Sequence, residues 1–144
     1  MCSLYNAKFI AMKKLMTTLI FIALAITGAK AQTGDLLVTI TDVKPDGTFL
    51  LIGVGDYKKA PESMQGSRVL ADSSTVVCHL KNLTAGEQKV YVFQDQNGNY
   101  QLDFSSDGKP LEGVGRSENN SWEPSVIIDG TLQKINIRMV YLTQ

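Results

Sequence analysis

Oxygen-bearing side chains recur along Asp95-Gln96-Asn97-Gly98-Asn99-Tyr100-Gln101-Leu102-Asp103 at every second position but the seventh-residue glutamine, which offers its main chain. Carboxylate, amide and main-chain oxygens at that spacing are what a hard cation such as Ca²⁺ takes. Counted from Asp95, the ligands would be Asp95, Asn97, Asn99, Gln101 through its carbonyl, and Asp103. A helix–loop–helix calcium site adds glycine at position 6 and a bidentate glutamate at position 12. Here those positions hold Tyr100 and Ser106, and no amphipathic helix flanks the run, so an ordinary calcium-sensor hand is not expected. Asp107 or Glu112 could close the shell along another backbone path. A metal-free turn is the alternative, since Asn-Gly is a favoured turn pair and Asp and Asn side chains bond their own backbone. Magnesium suits the run less well, because it demands tighter octahedral geometry and keeps its waters.

The same acids, Asp95, Asp103 and Glu112, could serve as a general acid and base on a sugar chain. Their spacing does not itself bring them together, and no catalytic residue is assigned. The one histidine, His79, adjoins Cys78 in an alternating run, which sends the two side chains to opposite faces. They make a poor nucleophile–base pair, and Cys78 fits a small buried hydrophobe. Tyr100 and Trp122, with Tyr57, could offer flat rings to an envelope glycan or a protein. Trp122 could instead fold back over an open edge of the core.

The elements that must position these residues read as short strands. Leu36–Val43, Thr48–Val54, Arg68–Ala71, Thr75–Leu80, Gln88–Gln94, Ser125–Ile128 and Lys134–Leu142 are apolar, period-2 runs divided by Gly, Pro, Asn and Asp. The first two could form a hairpin across Pro45-Asp46-Gly47, and Ala60–Gln65 could hold one helical turn. Gln88–Gln94 is apolar on both faces, with Tyr91 and Phe93 alternating with Val90 and Val92. That suits a strand covered on both sides or one carrying an aromatic groove. Residues 94–125, rich in Gly and Pro, form a long excursion of the kind kept for function or held by a ligand. The expected fold is all-β, a small sandwich of about seven strands with a long ordered loop region.

Residues 12–31, MKKLMTTLIFIALAITGAKA, have the layout of a secretory signal: Lys13 and Lys14, an apolar stretch Leu15–Ile26, and Ala29-Lys30-Ala31 for cleavage. Residues 1–31 are thus read as an extension plus signal peptide, with Met12 the start, and residues 32–144 as a single domain. A retained membrane helix is the alternative, but the apolar stretch falls short of the roughly 20 residues that span a bilayer. Four of the chain's 14 Lys and Arg precede Gln32 and none of its 14 acids does, so the remaining domain has a net charge near −4. That balance argues against a nucleic-acid partner. Cys78 is then the sole cysteine and no internal disulfide can form. The domain is expected to be exported, whether periplasmic, on the outer surface or extracellular, with no transmembrane segment.

One resemblance is specific. Phe93–Asp103, followed by Gly108-Lys109-Pro110-Leu111-Glu112-Gly113-Val114-Gly115-Arg116-Ser117, resembles the exported bacterial family called domain of unknown function 2141. That family is similar in a His-Asp-x-Asn-x-Asn-Gly-x-Leu-Asp segment, a Gly-x-Pro-x-Glu-Gly-x-Gly-x-Ser segment and an Asn-x … Pro-x-Phe tail. Asp95, Asn97, Asn99, Leu102 and Asp103 match the first; Gly108, Pro110, Glu112, Gly113, Gly115 and Ser117 the second; Asn119, Asn120 and Pro124 the third. Gln94 stands for the family's histidine, Tyr100 for its glycine and Val126 for its phenylalanine. The resemblance implies a small immunoglobulin-like or prealbumin-like β-sandwich and no particular reaction. The function expected is a non-catalytic exported binding or accessory domain of the envelope, with Ca²⁺ as a candidate cofactor. A carbohydrate-active enzyme using the loop carboxylates and a purely structural surface protein are the alternatives.

Overall fold

The structure, a computed structural model, describes residues 32–117, 119 and 121–142. The expected signal peptide, its start and its cleavage point lie outside the described residues. No helix among the described residues is long and apolar enough to cross a membrane.

Eight strands form: β1 Thr33–Thr41, β2 Phe49–Val54, β3 Gln65–Leu70, β4 Thr75–Thr84, β5 Gly86–Asp95, β6 Gly113–Ser117, β7 Ser125–Ile128 and β8 Leu132–Val140. They pair in the order β3-β2-β5-β6-β8-β1-β4, with β7 on the first half of β5. β3 and β4, the two ends of this order, lie against each other without a ladder. The result is a nearly closed, sandwich-like sheet. Gln65 spans the seam: its Nε2 donates to Asn82 O (3.1 Å), and its Oε1 accepts from Thr84 N (2.8 Å).

Alternation explains the core. On β1 the inward residues Leu36, Val38 and Ile40 are fully buried, and on β4 Val76, Cys78 and Leu80 face them. Each large aliphatic side chain removed from water in this way contributes about 1.5–3 kcal/mol. Cys78 is buried, and that burial pushes its thiol pKa up. His79, on the opposite face as expected, lies 3.0 Å from Asp35 Oδ2.

Two features differ from the sequence expectations. β1 and β2 do not form a hairpin. β1 pairs antiparallel with β4 and parallel with β8, while β2 pairs with β3 and β5. The β1–β2 and β3–β4 connections cross together between the two halves of the sheet, held by Val43 N to Ser74 O, Gly47 N to Ala71 O and Ala71 N to Thr48 O. The second difference is β6, a strand inside the Gly-rich excursion. It bridges β5 and β8 because glycines at 113 and 115 admit close neighbours. A Cβ at 113 would sit 2.2 Å from the Tyr141 ring, and one at 115 would sit 2.6 Å from Ile137. Pro61–Ser63 supplies the expected single helical turn, as a 3₁₀ helix.

Candidate functional site

β5 positions the site. Its Val90, Val92 and Gln94 point into the core while Tyr91 and Phe93 point outward, only half covered. Among the described residues three polar or charged side chains are buried, Gln94 (0% exposed), Asp95 (3%) and Glu112 (5%), and all belong to the two motif segments.

Gln94 is a hub. Its Nε2 donates to Lys44 O (2.8 Å), Asp46 Oδ1 (2.8 Å) and Thr48 Oγ1 (3.0 Å), while its Oε1 accepts from Tyr141 OH. Tyr141 OH in turn accepts from Lys44 N at 2.9 Å. The side chain therefore ties the β1–β2 turn to β5 and to the residue after β8. Burial alone would raise the Asp46 pKa, but hydrogen bonds from Thr48, Gln96 and Gln94 hold it below the usual carboxylate value. Burial raises that of Tyr141.

Beyond Gln94 the chain wraps around Asp95. Its Oδ1 accepts from Gly98 N (2.9 Å) and Asn99 N (3.1 Å), and its Oδ2 accepts from Tyr100 N (3.0 Å). Asn97 Oδ1 accepts from Asn99 N, and Asn99 Oδ1 from Gln101 N. Asp103 Oδ2 accepts from Asn97 Nδ2 (2.6 Å) and Asn99 Nδ2 (2.8 Å). The predicted loop residues thus converge in one cluster. Tyr100 takes the left-handed conformation, φ 61°, at the position where the resembled family has glycine. A non-glycine residue there carries roughly 1–2 kcal/mol of strain.

Glu112, the residue before β6, reaches the same loop. Its Oε1 accepts from Gln96 N (2.8 Å), while Oε2 is buried without a hydrogen-bond partner. Gln94 pairs with Gly113 across β5 and β6, so one further step in that antiparallel register sets Asp95 opposite Glu112. Between them residues 103–111 double back, through Leu111 N to Asp103 O, Ser105 N to Lys109 O and a bridge of Phe104 to Pro110. Asp107 is taken by Lys109 at 2.7 Å. Among the described residues no group of three or more His, Cys, Asp or Glu is placed to hold a metal ion, Asp95, Asp103 and Glu112 included.

On the outer face of the β3-β2-β5-β6 half lies a cleft of about 1130 Å³. Tyr57, Tyr91, Phe93, Tyr100, Phe104 and Trp122 line it, with Leu51, Met64 and Arg68. The two residues predicted as ligand contacts meet here, Tyr100 57% and Trp122 44% exposed. Trp122 does not close over the core. It stacks on Arg116, whose guanidinium carbon is 3.6 Å from the ring centre. Tyr57 meets Tyr91 edge-on at 5.0 Å, and Arg68 Nη1 donates to Tyr100 OH at 3.2 Å. Glu123, the one carboxylate of the lining among the described residues, accepts from Lys58 (2.5 Å) and Lys89 (2.7 Å), and these bonds pull its pKa down to about 2. Asp95, Asp103 and Glu112 are not among the lining residues.

Sequence reasoning missed Gln94's hub role, Phe104 and Arg68. The paired Gly53 and Gly66 were a usable signal, because glycine inside a strand marks space left for another group.

Residues 24–127 match the bacterial family model described as "Uncharacterized protein conserved in bacteria (DUF2141)", and the chain belongs to that family. No curated protein and no solved structure matches it.

Proposed function

We propose that this member of the DUF2141 family is an exported, non-catalytic binding domain of the cell envelope, and that its ligand lies in the aromatic cleft. The observation that carries this reading is the meeting of Tyr100 and Trp122, from separate loops, with four further aromatic side chains in one concavity. Binding sites are concave, mainly apolar and edged by a few placed polar groups, and Arg68 and the Glu123 ion pairs supply such an edge. A ligand with flat, weakly polar faces fits this lining, as the rings of an envelope glycan do. An acid–base hydrolase needs two carboxyl groups flanking the scissile bond. Among the described residues the cleft's single carboxylate, Glu123, is engaged by two lysines, which supports a binding role.

The test is retention or calorimetry on a panel of soluble envelope polysaccharide fragments. Tyr100→Ala and Trp122→Ala should each weaken binding by about tenfold, the loss of one well-packed aromatic contact. A fragment that binds both variants as tightly as the parent overturns the cleft as its site. Uniform absence of binding across the panel overturns the glycan assignment. Recovery of the protein from the exported fraction with Gln32 as its first residue checks the compartment.

A further inference from the structure

Three carboxylates meet the loop that follows β5, and among the described residues none of them has a basic partner. The ion pairs there use Asp35, Asp56, Asp107 and Glu123 instead. Asp95 and Glu112 are at least 95% buried and lie opposite each other at the β5–β6 end. Like charges directly opposite across strands repel, and a buried ion without a counter-charge is destabilising. Glu112 Oε2, which no donor reaches, is an unpartnered buried atom on a carboxylate whose other oxygen already holds Gln96 N.

Acceptors are in surplus here. Asp95 offers about four lone-pair sites and takes three N–H bonds, while Asn97 Oδ1 and Asn99 Oδ1 each take one and have room for another. What the cluster lacks is positive charge. We infer that Asp95, Asn97, Asn99, the Gln101 carbonyl, Asp103 and Glu112 bind one Ca²⁺, with Glu112 arriving from just before β6 to complete a shell that the loop alone leaves open. The six oxygens match the number and kind that Ca²⁺ takes. Mg²⁺, with stricter octahedral demands, fits a mixed and adjustable set less well. Asn97 and Asn99 now turn their amide nitrogens to Asp103, and cation binding exchanges those nitrogens for their carbonyl oxygens by rotation within the loop.

The site bears on the cleft through Tyr100. Its N–H is held by Asp95, and its ring lines the cleft with its hydroxyl on Arg68. Cation binding then fixes the wall that carries Tyr100. This last step rests on the cleft reading; the cation site itself does not.

The experiment uses the full domain stripped with chelator, then titrated with CaCl₂ by calorimetry and followed by thermal unfolding. Saturation at a hundredfold excess over Kd should raise Tm by about 8 °C, with MgCl₂ giving a much smaller rise. Glu112→Gln should cut Ca²⁺ affinity at least tenfold. The same variant should melt above the parent when both are metal-free, because it removes a buried unpaired charge. A Glu112 with a merely structural role would lower Tm in both conditions, and that result overturns the assignment. Absence of heat and of a Tm shift up to millimolar Ca²⁺ overturns it as well. Asp103→Asn guards against a variant that fails to fold, and an affinity equal to the parent's also sinks the site. Fragment binding without Ca²⁺ binding rejects the cation site alone, while Ca²⁺ binding with no fragment bound rejects the cleft alone.

Discussion

Replacing Gln94 by alanine should be among the costliest single changes in the domain, and the structure sets the size. The amide has four polar partners, Lys44 O, Asp46 and Thr48 sharing its two N–H protons and Tyr141 OH donating to its oxygen, from a fully buried position. A neutral hydrogen bond contributes about 0.5–1.5 kcal/mol, and one to a charged group about 1.5–3 kcal/mol. Simple addition overstates the loss, because Lys44, Asp46 and Thr48 lie near the surface and water can replace the amide there. Tyr141 OH has less access to water and stays under-satisfied. A net destabilisation of about 3–4 kcal/mol follows. For a domain of this size that is a fall in Tm of roughly 10–15 °C. Urea unfolding followed by far-UV circular dichroism reads it as a lower midpoint at unchanged slope. Tyr141→Phe should cost about 1–2 kcal/mol. The double variant should cost at least about 1 kcal/mol less than the two losses added, because removing Gln94 has already taken away the acceptor of the hydroxyl's proton. A Gln94→Ala protein within about 1 kcal/mol of the parent, or full additivity in the cycle, would refute the hub.

Three other outcomes are expected. Glu123 has its pKa depressed to about 2 from 4.5 by Lys58 and then Lys89, so its contribution to stability is present above pH 4.5 and is lost as pH falls toward 2. Comparing acid unfolding of the parent with Glu123→Gln should show that part of the slope missing in the variant; identical slopes would count against the paired geometry. Tyr100→Gly relieves φ 61° and should leave stability equal or raise it by up to about 1 kcal/mol, whereas Tyr100→Ala keeps the strain and should lower it. Chemical denaturation ranks the two variants, and the reverse order would reject the left-handed assignment. Gly115→Ala drives a methyl to 2.6 Å from Ile137 and 3.0 Å from Val92, and should destabilise by about 1–3 kcal/mol in the same assay.

How much of this was legible depends on which physical term dominates at each place. β1, β4, β5 and β8 are written in alternation: buried and exposed residues trade places along Thr33–Thr41 and Thr75–Thr84 as the pleat requires. β6 was not legible. Gly-Val-Gly-Arg-Ser has the composition of a loop, and it becomes a strand because β5 and β8 leave a slot that only residues without side chains can fill at 113 and 115. The hairpin expected for β1 and β2 failed for a related reason. The turn chemistry of Pro45-Asp46-Gly47 is genuine, but Gln94 and the Ala71–Ser74 connection decide where it leads. In the candidate site, Asp95, Asn97, Asn99 and Asp103 lie within one hydrogen-bonded turn, where their short separation along the chain keeps them close. The attachment of Glu112 depends on the β5–β6 register, which no local pattern records. Tyr100 and Trp122 do share a surface, but the strand glycines and the outward aromatics of β5 make it concave.

The parallel ladder between β1 and β8 has a consequence during biosynthesis. Val38 is matched with Ile135, so the first strand to be translated waits for almost the last before one of its two flanks is covered. Pairings between distant parts of a chain are slow to close. In a nascent polypeptide of this design that flank of β1 stays uncovered until β8 has left the ribosome, although β4 can already cover the other.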